Sequence, residues 1–447
     1  MNNFLKLGVA VLLIVLIVVV WMNYPKLNLI TGFAAKNVCS CTFVANRDLE
    51  SIATSDNGFT PVAYASNTIN PQTQSATSTF LGLQPRTAVF SPDTGCTLLP
   101  QGQDSLESRT IPTRYLTSES VAYPYGTGDP VTASYENVDR EALEAAVEMA
   151  FEGEVFGEEA SRAVLVLNKD KLLVERYAQG FSEETHFQGW SMTKSLMSAV
   201  FGTLHREGRI DVQQDNLFPE WEGDPRRDIT LNNLLQMNSG LEWVEDYTTI
   251  SDVTTMLFLS EDMSQVQLKK ELEGPPGQSW NYSSGTSNVL SRYLRSKFDD
   301  HQAYLDYWYQ ALIDRIGMHS MVLETDLSGN YVGSSYSWAT ARDWAKFGLL
   351  YLNKGSWNGE QLLEPSWIEY TLTPTVGSDG QYGAHFWLNS KGLFPNVPRD
   401  MYSANGFQGQ HIFIIPSKDL VVVRFGLTES PEFDIDGFLH GIISAIE

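Results

Sequence analysis

The sequence predicts an α+β fold in which a sheet built from both ends of the chain encloses a long helical middle. Three observations carry that prediction. Two β-rich runs at 163–167 and 172–176 flank Asn-Lys-Asp-Lys, a hairpin signal. A second pair, 410–415 and 420–425, flanks Pro-Ser-Lys-Asp near the C-terminus. Between the two pairs, helical spacing dominates from 191 to about 352, broken by turn-rich stretches at 223–228 and 273–279. The composition supports a large core: 447 residues, 43% apolar and only 19% charged.

Taken in chain order, residues 7–22 form an unbroken apolar run preceded by Lys6, with Trp21 at its far end and Tyr24 and Pro25 just beyond. With Phe4 and Leu5 it is long enough for one bilayer crossing, which predicts an uncleaved signal-anchor over residues 1–26. A cleaved signal peptide would have a shorter core and a small-residue site soon after it. Either form exports everything after Asn23. From 27 to about 114 the sequence is polar and turn-rich, with one apolar run at 80–89 interrupted by Pro85, and it reads as irregular structure plus a hairpin. A polar extension is therefore expected over 27–135, and the main domain over 136–447 with a helical insertion at about 210–350. Asp139 to Phe151 has helical spacing with acids in its first turn. A last amphipathic helix is expected from about Phe433 to Ile446.

The formal net charge of −24 excludes partners held through phosphates, because no basic patch offsets it. Membrane contact is expected through the N-terminal helix only. Three cysteines permit at most one intramolecular bridge, and Cys96 paired with Cys39 or Cys41 would tie the post-anchor segment to the first hairpin. No metal-ligand spacing is present, and neither a metal nor a cofactor is expected.

Three segments could carry chemistry. Ser191-Met-Thr-Lys194 follows Gly189 and opens an apolar-faced helix, placing Ser191 at a helix N-terminus with the Lys194 amine one turn on. A hydroxyl needs a neighbour to take its proton, and a partly buried lysine can do so. Tyr282, Ser283 and Ser284 follow Pro-Pro-Gly-Gln-Ser-Trp-Asn, and an adjacent ammonium should lower the Tyr282 phenol pKa so that it relays protons. Gly406-Phe407-Gln408-Gly409-Gln410 leads into a β-run, where two glycines would let a substrate approach the backbone and the Gln410 N–H could join that of Ser191 as an oxyanion hole. His186, five positions before Ser191, is set aside as a base because Lys194 and Tyr282 fill that role.

In this order the three segments resemble the serine β-lactamase and penicillin-binding-protein superfamily, and more specifically its class C-like serine hydrolases: esterases, D-alanyl-D-alanine carboxypeptidases and 6-aminohexanoate-dimer hydrolases. The stretches at 224–231, 234–241 and 339–345 support the resemblance. It implies a β-lactamase/transpeptidase-like fold, with Ser191 acylated, Lys194 as its base, Tyr282 transferring protons to the leaving group, and the Ser191 and Gln410 backbones holding the oxyanion. Ser284, Phe407, Gln408 and Gly409 would line the substrate pocket. Two positions depart from the family. Phe407 stands where a cation usually contacts a substrate carboxylate, and Ser284 where class C β-lactamases usually carry Asn. The expected activity is therefore an exported hydrolase, held in the inner membrane by one span, acting on small neutral or cationic esters or amides. The alternative is an inactive relative that binds cell-wall peptides or a protein partner.

Overall fold

The computed structural model describes residues 24–107, 109–116, 121–130, 137–152, 161–428 and 433–446, together with positions 8, 11 and 12. Most of the apolar run at 7–22 lies outside the described residues. Among the described residues, no helix is long and apolar enough to cross a membrane.

Helix α1 (Leu27–Phe43) is followed by an antiparallel sheet of β1 (Ala65–Asn70), β2 (Ser75–Phe80), β3 (Leu83–Ser91) and β4 (Gly95–Leu98), joined in that order. The expectation of irregular structure plus one hairpin for 27–114 is thus corrected. Thirteen of the seventeen α1 residues are buried. A helix covered on all sides shows no apolar stripe, so its polar residues look like loop. They are bonded inside the protein instead. Asn37 donates to Asn57 (2.8 Å), Ser40 to the wholly buried Glu324 (2.7 Å), and Lys36 donates to both Ser40 and Glu324. Glu324 also accepts from the Cys96 N–H (2.8 Å) and the Trp338 indole (3.0 Å). Cys39 and Cys96 form a disulfide between α1 and β4, and Cys41 is a buried free thiol.

The main sheet follows the expected plan. Helix α2 (Arg140–Met149), N-capped by Asp139, precedes β5 (Ser161–Asn168) and β6 (Lys171–Tyr177). The short strand β7 (His186–Gln188) leads into α3 (Met192–Arg206), and helices α4 (Asp252–Leu259) and α5 (Ser284–Arg295) follow. Two short strands, β8 (Val322–Leu323) and β9 (Ser337–Thr340), pair with β7 in the order β7-β9-β8, inside a stretch whose spacing reads as helical. After α6 (Ala341–Leu352) and the small β10 (Ser356–Trp357) and β11 (Glu360–Gln361) hairpin come β12 (Trp387–Leu388), β13 (Tyr402–Gly406), β14 (Gln410–Ile415), β15 (Leu420–Gly426) and α7 (Ile435–Ser444). The six-stranded sheet has the order β12-β13-β14-β15-β5-β6, so the C-terminal hairpin lies against the N-terminal one.

Period-two alternation gives this sheet two apolar faces. Leu165, Leu167, Ile412, Ile414, Val421 and Val423 belong to the core shared with α3 and α6. Val164, Val166, Phe413, Ile415 and Val422 belong to the core under α2 and α7. The N-terminal region is fastened to this body by Asp56, which pairs with Arg47 and with Arg162 of β5 (2.7 Å). The Arg86 guanidinium of β3 donates to the Phe258 carbonyl at the end of α4 (2.8 Å).

Lys36→Met leaves Glu324 buried without its cation and is expected to cost about 3–5 kcal/mol of unfolding free energy. Adding Glu324→Gln should recover part of that loss in denaturant titrations. A double variant no more stable than Lys36→Met would show that the pair is not coupled.

Candidate active site

Ser191 closes a tight turn ahead of α3. The N–H groups of Met192, Thr193 and Lys194 bond the carbonyls of Gly189, Trp190 and Ser191, each at 3.0 Å. Trp190, not Gly189, takes the left-handed conformation (φ 45°), a strained state for a bulky residue. Its indole is held by neighbouring rings: Phe33 of α1 (6.5 Å between centroids), Tyr336 (6.1 Å) and Phe407 (5.4 Å). Thr193 secures the turn through its hydroxyl, bonded to the Trp190 carbonyl and the Ser337 hydroxyl (both 2.6 Å). Gly189 is needed for close approach, because a Cβ there would lie 2.5 Å from the Trp344 ring and 2.8 Å from Ser337 Oγ.

The Ser191 hydroxyl does not cap α3. It accepts from Lys194 Nζ at 2.8 Å. Lys194 is 1% exposed, and its amine also donates to Ser284 Oγ (3.0 Å) and the Ser334 carbonyl (2.9 Å). Three acceptors match the three protons of an ammonium. Burial lowers the Lys194 pKa to about 8, with the Glu245 charge acting in the opposite direction.

Tyr282 lies beside this pair, with its ring centroid 4.9 Å from Lys194 Nζ. The expected lowering of its pKa is corrected. Burial, reinforced by the Glu245 charge, holds the phenol above its ordinary value, and its hydrogen bond with Ser191 opposes this only in part. Desolvation dominates, so Tyr282 is a neutral phenol, suited to giving a proton. Trp387 (5.3 Å) and Tyr382 (5.7 Å) pack around its ring.

Ser284 is the first residue of α5, whose N-cap is Ser283 (2.9 Å to the Thr286 N–H). Besides accepting from Lys194, the Ser284 hydroxyl donates to Glu245, which also accepts from the Ser284 N–H (2.8 Å) and the Trp243 indole. Glu245 was not foreseen, because an acid in a polar loop carries no local signal of its partner. His385 was also missed. It is buried, burial and the Lys194 charge push its pKa down to about 3, and its carbonyl accepts from Ser195 (2.6 Å). His186 instead lies on β7, in register with Thr340.

The third segment forms the β13–β14 turn. Its glycines make room for neighbouring protein: a Cβ on Gly406 would collide with the Gly189 carbonyl, and one on Gly409 with the Arg424 guanidinium. Gln408 adopts φ 60°. The Gln410 side-chain amide holds the turn, donating to the carbonyls of Phe407 (3.1 Å), Gln408 (2.9 Å) and Gly426 (2.8 Å). Phe407 stacks on Tyr247 at 4.6 Å. The structure therefore brings Ser191, Lys194, Tyr282 and Ser284 together directly, and Gly406 sets this turn against the segment leading to Ser191.

A family model described as Beta-lactamase matches residues 155–437, so α1 and the β1–β4 sheet lie outside the match. The 6-aminohexanoate-dimer hydrolase of Paenarthrobacter ureafaciens is 25% identical over 322 residues, 65% of this chain and 77% of that protein. A provisionally named 6-aminohexanoate-dimer hydrolase from Bacillus anthracis has a similar structure, with a TM-score of 0.56 at 21% identity, covering 70% of this chain and 84% of that one. A family VIII carboxylesterase gives 0.51 at 15% identity, covering 71% and 99%. These two structural likenesses show a shared fold.

Gly189→Ala is expected to lower stability by about 1–3 kcal/mol through overpacking against Trp344 and Ser337. Thermal melts beside the unsubstituted protein would measure it, and an unchanged midpoint would show that the turn tolerates a Cβ.

Proposed function

The chain belongs to the beta-lactamase family of serine hydrolases, and we propose that it cleaves ester or amide bonds through an acyl-enzyme on Ser191. The observation that carries this reading is the 2.8 Å contact between Ser191 Oγ and a buried lysine amine whose pKa is lowered to about 8. Near neutrality about one amine in ten is then unprotonated and able to accept the serine proton.

In the proposed sequence, neutral Lys194 takes the Ser191 proton as Oγ attacks the substrate carbonyl. The negative charge on the tetrahedral oxygen is met by the Ser191 N–H and by a second N–H from the 406–410 turn, for which Gln410 is the candidate. The C–O or C–N bond then breaks, and the Tyr282 phenol protonates the departing group. Lys194 returns a proton to Tyr282, and water repeats the cycle on the acyl-enzyme. Ser284 and Glu245 position the Lys194 amine. Phe407 offers no charge to a substrate carboxylate and lies on a protein of net charge −24, which favours neutral or cationic substrates.

The same proposal places the catalytic domain outside the inner membrane, anchored by the apolar run at 7–22. The Cys39–Cys96 disulfide supports an oxidising compartment.

Ser191→Ala is expected to abolish labelling by a fluorophosphonate and to lower p-nitrophenyl acetate turnover by at least about 10³-fold. A labelled, active variant would sink the assignment. A folded, unsubstituted protein that never acylates would indicate the binding-only alternative. With a neutral ester, log kcat/KM should rise with pH to a plateau, with its midpoint at about 8, as Lys194 loses its proton. Because the Glu245 charge raises that pKa, Glu245→Gln should move the midpoint to lower pH. An unmoved midpoint would show that the titrating group is not Lys194.

A further inference from the structure

A cavity of about 340 Å³, outside any role assigned so far, reaches Tyr247 and Phe407, which pack on Trp190, the residue before the nucleophile. It is built from Leu29, Ile30 and Phe33 of α1, the 59–62 segment and the 247–258 segment, and Tyr247 and Phe407 also line it. Apart from Lys26 and the threonines at 248, 249 and 254, the lining residues are apolar. Half of the wall comes from the N-terminal region, which the family match does not include.

We propose that this cavity receives an unbranched apolar acyl chain of the substrate while its carbonyl sits at Ser191. The inference rests on the serine hydrolase reading and names its substrate class. Phe407 both lines the cavity and sets its ring edge-on to Trp190, the residue before the nucleophile (5.4 Å). Tyr247 shares that boundary: it stacks on Phe407, while its phenol is held well above its ordinary pKa by burial and by the nearby Glu245 and Tyr282. The cavity is therefore one side chain away from the catalytic cluster.

Direction follows from the proton donor. The leaving group must meet Tyr282, whose ring packs on Trp280, Tyr382 and Trp387; none of these three lines the cavity, which nears Tyr282 only through Tyr247. The acyl side therefore runs the other way, past Trp190 and Phe407. The volume suits a chain, being at the lower end of small-molecule pockets. The mouth carries the exposed Lys26 and the 54% exposed Ile250. Lys26 follows the apolar run at 7–22 closely, so an anchored enzyme would open this mouth near the bilayer, where acyl chains are found.

The test uses p-nitrophenyl esters from acetyl to decanoyl, below their micellar limits, on the full chain. In the unsubstituted protein kcat/KM should climb about three- to fourfold per methylene until the cavity is full. Ile250→Asp puts a charge at the mouth from an exposed position that does not threaten folding, and Ile30→Asp puts one in the wall. Each should reduce the decanoyl-to-acetyl ratio by at least about tenfold. A flat series with acetyl turnover that needs Ser191, or variants as steep as the parent, overturns the cavity and leaves the hydrolase standing. If no ester turns over, the hydrolase reading fails. Decanamide binding to the Ser191→Ala protein then decides the cavity: saturable binding weakened by Ile250→Asp supports it, and no binding rejects it.

Discussion

The site is organised around one buried amine. Lys194 is withdrawn from water, and its protons are met by Ser191, Ser284 and the Ser334 carbonyl. Each acceptor belongs to a different part of the chain, so the amine holds together the start of α3, the start of α5 and the segment leading into β9. Removing a charged amine from water is unfavourable, and the same desolvation that lowers its pKa makes a weak base available near neutral pH. Glu245 limits the shift by returning negative charge through Ser284. The acid–base properties of the site are thus a balance between burial and one carboxylate.

The N-terminal region takes part in this arrangement as a wall. Phe33 of α1 packs on Trp190, whose strained backbone places Ser191; the disulfide ties α1 to β4, and the Lys36–Glu324 pair ties it to the body. A segment whose composition reads as irregular structure plus a hairpin therefore helps to hold the nucleophile's neighbour in an unfavourable conformation. Such strain persists only where surrounding packing over-determines it.

Much of the sheet was legible because its signals are local. The hairpins at 161–177 and 410–426 and the helix after Asp139 follow from alternation, turn residues and an N-cap within a few positions. Helix α1 was not legible, since complete burial erases the periodicity by which a helix is read. Gly189 was legible as part of a turn and Gly406 and Gly409 as places of close approach, but what a side chain there would meet is tertiary: a Trp344 ring, a backbone carbonyl and the Arg424 guanidinium. Tyr282 was legible as a member of the site. The direction of its pKa was not, because that depends on burial which no spacing encodes.

By itself the sequence determined the spacing of Ser191 and Lys194. Two residues three apart at the start of a helix meet on one face whatever surrounds them. It also determined the apolar run at 7–22 and the two sheet-forming ends. The tertiary structure decided how deeply Lys194 is buried, that Ser284 relays Glu245 to it, that Cys96 pairs with Cys39, and that α1 and Phe407 help to enclose a cavity. Those properties arise between groups tens to hundreds of residues apart, where desolvation, charge and shape exist only once the chain has folded.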